Sequence, residues 1–163
     1  MESNGAIVYS LAAIMLGTLF DANDRQRILD RVSVLSPESA RRWGRMTVFQ
    51  AVPHMADQLR MALGEIPVRS FRGPLRFAPL RWLSIYLAPW PRGRVKAPRE
   101  LFSTTPGELE ADVRHLKDLV SRFATADPKA AWPEHPLFGS LSGRDWGVLA
   151  WRHLDHHLTQ FGV

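Results

Sequence analysis

His153 and His157 stand four residues apart in Trp151-Arg152-His153-Leu154-Asp155-His156-His157, near the end of what reads as the last helix. That spacing puts both imidazoles on one helical face, about 5–6 Å apart at Cβ, which suits two ligands of one metal ion. The pair shares its face with Trp146, Leu149, Ala150, Leu154 and Phe161, so it is turned toward a core. A core histidine is ordinarily a hydrogen-bonded packing residue, and pairs at this spacing also arise by chance. With His156 beside them, a metal site and plain packing are equally good readings. A third ligand would decide between them, and the other histidines are His54, His115 and His135. The chain has no cysteine, so it can offer a metal only nitrogen and oxygen, and any thiol chemistry would need a small-molecule thiol.

These side chains must be held by a single core, because 163 residues suffice for one well-buried domain and are short for two. With 45% hydrophobic and 23% charged residues the composition is globular, not disordered. The net charge of +5 comes from 21 basic residues, of which only Lys96, Lys117 and Lys129 are lysine. Nine of them fall between Arg60 and Arg99, against Glu65 alone. Such a segment could attract an anion, but the charges have no helical period and no nucleic-acid motif surrounds them, so a solvated loop set is favoured and no nucleic-acid partner is expected.

The run Ala6 to Phe20 is apolar but short of the roughly 20 residues of a membrane span. It lacks the leading basic residues and the cleavage site of an export signal. The expectation is therefore a cytoplasmic protein with no stable membrane association. On the run alone, an anchor and an initiation at Met15 both stay open.

Helical periodicity gives the elements. The first helix spans about Asp21 to Val34, with Ile28, Leu29, Val32 and Leu35 inward, and Ser36-Pro37-Glu38 starts a short helix or turn. A second runs from Thr47 to about Gly64 on a stripe of Phe49, Val52, Ala56, Leu59 and Leu63, interrupted by Pro53. On an ideal wheel His54 lies off that stripe, with Gln50, Asp57 and Met61. From Ile66 to Ser103 the chain reads as a long crossover with a short helix at Leu80–Leu87, and Trp82, Tyr86 and Trp90 argue that it packs. Thr105-Pro106-Gly107-Glu108 reads as a capping box opening a helix to Phe123, on which His115 faces outward. Ser142 and Asp145 cap the last helix and Gly162 ends it. The fold class is all-α, an antiparallel helical bundle with a long crossover between the second and third helices.

Trp43-Gly44-Arg45-Met46-Thr47 leading to His54-Met55-Ala56-Asp57-Gln58-Leu59-Arg60, together with His135-Pro136-Leu137-Phe138-Gly139 and His153-Leu154-Asp155-His156-His157-Leu158-Thr159-Gln160-Phe161, resembles the DinB-like superfamily, within it a subgroup of uncharacterised bacterial proteins. The resemblance covers about residues 19 to 163, and members of the subgroup tend to begin near a Leu-Phe-Asp like Leu19-Phe20-Asp21, so it implies an initiation at Met15, with residues 1–18 an extension of a domain that spans 19–163. It implies a four-helix bundle binding one divalent ion (zinc, nickel or iron) through three histidines, which carried over fall on His54, His153 and His157. Pro53 departs from the pattern, where a helix former is expected. Three imidazoles leave coordination positions open, as at catalytic rather than structural metals.

The resemblance further implies metal-dependent transferases that use low-molecular-weight thiols such as bacillithiol or mycothiol on small electrophiles, with relatives that are hydrolases or isomerases. A non-catalytic metal-binding or stress-response protein is the alternative from another class. His156, Asp57, Gln160 and His135 are the candidates for contacts to a ligand histidine or a substrate. His156 could equally be a flank residue, Asp57 an exposed salt bridge and His135 a loop-packing residue. A small-molecule substrate is the expected partner, and a homodimer is compatible with the chain.

Overall fold

The computed structural model describes residues 16–93 and 99–163. Among the described residues five α-helices follow in order: α1 (Ala22–Ser33), α2 (Val48–Ala62), α3 (Ala78–Trp82), α4 (Leu109–Thr125) and α5 (Gly143–Gln160). Among the described residues there is no strand, only an isolated bridge between His135 and Gly139. The expectation of an initiation at Met15 concerns residues 1–15 and lies outside the described residues. Leu16 to Phe20 do pack: Gly17 lies against the Trp151 indole, the Leu19 amide donates to the Gly147 carbonyl, and the Phe20 ring meets Phe123 and Trp132.

The four long helices close a ring, α1 and α2 each packing against both α4 and α5. Local chemistry sets most of their ends. Asp21 caps α1 by accepting from the Asn23 and Asp24 amides. Thr47 and Gln50 form a reciprocal capping box on α2, as do Ser142 and Asp145 on α5. Gly162, at φ +79°, turns the chain after α5. The expected box at Thr105–Glu108 does not form. Glu108 caps α4 without a side-chain hydrogen bond, and Asp112 instead accepts from the Gly107 amide. The chain is already committed there, because Thr104 is held by Asp57 through its amide and its hydroxyl.

α2 departs from a one-stripe helix. Phe49, expected inward, is 38% exposed, whereas His54, Asp57, Gln58 and Met61 are all buried. The reason is a third covering: a short 3-10 turn, Arg99–Phe102, lies on α2 in addition to α4 and α5. His54, Asp57, Gln58 and Met61 are therefore buried although they lie off the apolar stripe. α2 and α5 run antiparallel. The Arg42 amide before α2 donates to the Gln160 carbonyl at the end of α5, while Gly64 after α2 lies beside Pro133, whose carbonyl accepts from Trp146 near the start of α5.

The crossover between α2 and α4 carries a 3-10 turn (Pro74–Arg76), α3 and a π turn (Leu83–Leu87) where one short helix was expected. Tyr86 packs and its hydroxyl donates to Asp145, but Trp82 stays 54% exposed, stacked on Tyr86. Much of the basic character serves attachment. Arg76 pairs with Glu134 and Arg81 donates to the Phe138 and Ser140 carbonyls. Arg152 of α5 donates to the carbonyls of Ser84, Ile85 and Ala88, fixing the π turn to the last helix. No helix among the described residues is long and apolar enough to cross a membrane.

Candidate metal centre

The antiparallel packing of α2 on α5 brings three histidines together. The His54 ring centroid lies 4.8 Å from that of His153 and 4.8 Å from that of His157, and the latter two are 4.7 Å apart. One nitrogen from each lies within 4.8 Å of the others, and Nε2 of His54 is 3.0 Å from Nε2 of His153. All three side chains are buried. α2 continues through Pro53, which removes one backbone donor without ending the helix. His115 is exposed on α4 and far from this cluster in role.

Two of the three rings are oriented by hydrogen bonds from their outer nitrogens. His54 Nδ1 donates to the Leu101 carbonyl at 2.8 Å, and its ring stacks on Phe102 with centroids 4.7 Å apart. His157 Nδ1 donates to Gln160 Oε1 at 3.0 Å, and Gln160 Nε2 donates onward to the Trp43 carbonyl at 2.9 Å. With the proton fixed on Nδ1, each ring turns a lone pair on Nε2 toward the shared centre. His153 differs: its Nδ1 is buried and has no partner.

Electrostatics keep the cluster neutral. Burial holds His54 below its ordinary range, and burial followed by the His54 ring brings His157 down to about 3. His153 is pushed far down by burial first, then by His157 and His54. Neutral imidazoles are the form that binds a metal.

The residues fit a divalent ion on the structure's own terms. If His153 Nε2 carries a proton toward His54, its buried Nδ1 is an acceptor without a donor. If Nδ1 carries the proton, two lone pairs face each other at 3.0 Å, which a cation between them would reconcile. The donor set is all nitrogen, as zinc, nickel or iron accept.

The cluster forms part of the wall of a cavity of about 530 Å³. Its other walls are mainly apolar, from Leu75, Leu101, Phe102, Leu137, Phe138 and Leu149, with Trp43 and Trp90 beside His156 and the exposed Arg45 at the edge. Gly44, at φ +75°, passes so close to Gln160 that a Cβ there would lie 2.7 Å from Nε2.

The other sequence candidates take distinct places. His156 lines the cavity with its ring 4.5 Å from Trp43 and 5.8 Å from Trp90, half-buried and lowered by burial. Asp57 is fully buried, so it is not an exposed salt bridge; it binds Thr104 and Arg60 and makes no hydrogen bond to His54. His135 lines the cavity, accepts through Nδ1 from the Leu137 and Phe138 amides, and packs on Phe138 and Trp146. Sequence reasoning missed Leu101, whose contribution is a backbone carbonyl. It also passed over Gln58, although its position one helical turn beyond His54 was a usable signal.

No curated protein and no solved structure matches the chain. Residues 84–162 match the model of a family described as a protein of unknown function (DUF1569), a span that contains His153, His157 and Gln160 but not His54.

Proposed function

We propose that this chain is a metal-dependent enzyme of the DinB-like type, a transferase that joins a low-molecular-weight thiol to a small electrophile. The observation that carries the reading is the convergence of His54, His153 and His157 in the wall of a largely apolar cavity of about 530 Å³. His54, His153 and His157 would hold the ion as neutral imidazoles, and it would supply Lewis acidity that favours thiolate over thiol. The apolar walls suit the electrophile's carbon frame. Exposed Arg45 at the cavity edge, and Arg92 lying over the Trp43 ring, would meet carboxylates of an anionic thiol. In the transfer the sulfur–carbon bond forms as the bond to the leaving group breaks, and the thiol proton passes to solvent or to His156.

A hydrolytic reading is favoured by His156, a neutral imidazole on the cavity wall to which no hydrogen bond is made among the described residues. It would act there as a base toward water.

The test is elemental analysis of purified protein, followed by incubation with bacillithiol, mycothiol or glutathione and an activated aryl halide. Thiol consumption with thioether formation is expected. Metal-loaded protein that neither binds nor consumes any of the three thiols would remove the transferase reading and leave the hydrolase.

A further inference from the structure

Gln58 is buried to 2% exposure in the cavity wall, one turn beyond His54 on α2, and neither its Nε2 nor its Oε1 has a partner. Burying both ends of an amide unpaired is costly enough that it calls for an explanation. Among the described residues two other buried side-chain atoms lack partners, Nδ1 of His153 and Nε1 of Trp151. An indole N–H can only donate, so within this set the carboxamide oxygen of Gln58 is the dedicated acceptor. Trp151 precedes His153 by two residues, about 200° around α5, and its indole lies under Gly17. His153 is the remaining donor.

The helix directions put Gln58 on the His153 side of the cluster, and both residues line the one cavity. The His54 ring is equidistant from His153 and His157, so it stands level with the middle of that turn of α5. α2 runs antiparallel to α5, so one turn further along α2 moves about 6 Å toward the start of α5, away from His157 and about half a turn past the level of His153, with both side chains in the wall of the same cavity. Rotation about the broad terminal torsion of glutamine can then turn Oε1 to the imidazole.

We infer that Gln58 is the positioning residue of His153, its Oε1 accepting the Nδ1–H of that ring when an ion is bound at Nε2. The inference depends on the metal reading above. Ligation through Nε2 obliges a neutral imidazole to carry its proton on Nδ1, which creates a buried donor that needs an acceptor. Leu101 supplies that acceptor for His54 and Gln160 supplies it for His157. Gln58 makes the third, and by the same residue type as Gln160.

The experiment uses the full chain as wild type, Gln58→Leu and Gln58→Glu. Zinc affinity is measured by chelator competition, cobalt loading by its visible spectrum, and the His153 ring by nitrogen-correlated NMR. Wild type should bind zinc with a slowly exchanging His153 Nδ1–H. Gln58→Leu should lose about 10–100-fold in affinity and that protected proton. Its metal-free melting temperature should be unchanged or higher, because an unpaired buried amide has been removed. Gln58→Glu should restore affinity and protection, since a carboxylate oxygen accepts the same proton, and should shift the cobalt spectrum. Should Gln58→Leu fail to fold, the glutamate variant decides alone, loss of protection in it overturning the inference. Unchanged affinity and Nδ1–H protection in Gln58→Leu would also overturn it while leaving the metal centre standing. Failure of wild type to take up zinc or cobalt would overturn both.

Discussion

Gln160 joins His157 to Trp43: its Oε1 accepts from His157 Nδ1 at 3.0 Å and its Nε2 donates to the Trp43 carbonyl at 2.9 Å. One side chain thus sets the tautomer of a candidate ligand and ties the last turn of α5 to the loop that enters α2. That loop passes Gly44 against the same amide, where a side chain would collide with it.

Replacement of His153 or His157 by alanine should lower metal content from about one ion per chain to near zero, and His54→Ala should do the same. Elemental analysis of proteins prepared in parallel checks this. Full metal in all three variants would place the site elsewhere.

Gln160→Leu keeps the volume but removes both hydrogen bonds. Metal affinity should fall about 10–100-fold, as is usual when the outer partner of a ligand histidine is lost. Gly44→Ala should weaken it in the same direction, because its added methyl displaces Gln160. Equal zinc affinity of both variants and wild type in chelator competition would show that the Gln160 bond does not hold His157.

The pair on α5 is legible in the sequence because a helix has a fixed period and both histidines fall in phase with Trp146, Leu149 and Leu154, all buried. His54 was harder to place, because a helical wheel assumes one buried face. α2 has three coverings, and the third, the Arg99–Phe102 turn, belongs to a crossover whose path no periodicity encodes. The Leu101 carbonyl is invisible for the same reason: any residue supplies a carbonyl, and only the chain path decides where it points. The capping signal at Thr105–Glu108 misled because a buried carboxylate outside the helix, Asp57, had a prior claim on the neighbouring Thr104.

Acid should destabilise the metal-free protein, with His135 among the causes. Burial lowers His135 from an ordinary 6.5 to about 3. Between those values the unfolded chain binds a proton that the native state does not, so stability is full above about 6.5 and falls as the pH drops toward 3. His157, likewise brought to about 3, adds to the same slope. Urea midpoints measured from about pH 7.5 to 4.5 should decline in wild type and decline less steeply in His135→Asn. Parallel slopes would assign the acid limb to other groups.

Phe161 follows the last full turn of α5 and is buried in the core beside Leu158. Truncating a buried phenylalanine typically costs about 3–5 kcal/mol. Phe161→Ala should therefore lower the thermal midpoint and weaken zinc binding, although it removes no ligand atom. If neither the midpoint nor the affinity changed, the end of α5 would not be needed to hold His157.

Asp57 controls the opposite side of the centre without touching it. Its Oδ2 accepts from the Thr104 amide at 2.8 Å, and its Oδ1 accepts from the Thr104 hydroxyl and from Arg60. Thr104 follows the turn that carries Leu101 and Phe102, the two residues that hold and stack on the His54 ring. Asp57→Ala leaves the half-buried Thr104 amide without its acceptor and removes the carboxylate that Arg60 meets, losses of roughly 1–3 kcal/mol. The melting temperature should fall, and the turn should loosen from α2. His54 then loses its acceptor, so zinc affinity should drop even though every ligand histidine is intact. Hydrogen exchange across residues 101–104 distinguishes this chain of cause from general instability. It should accelerate there before it does in α4, and uniform acceleration over the whole fold would refute a local role for Asp57.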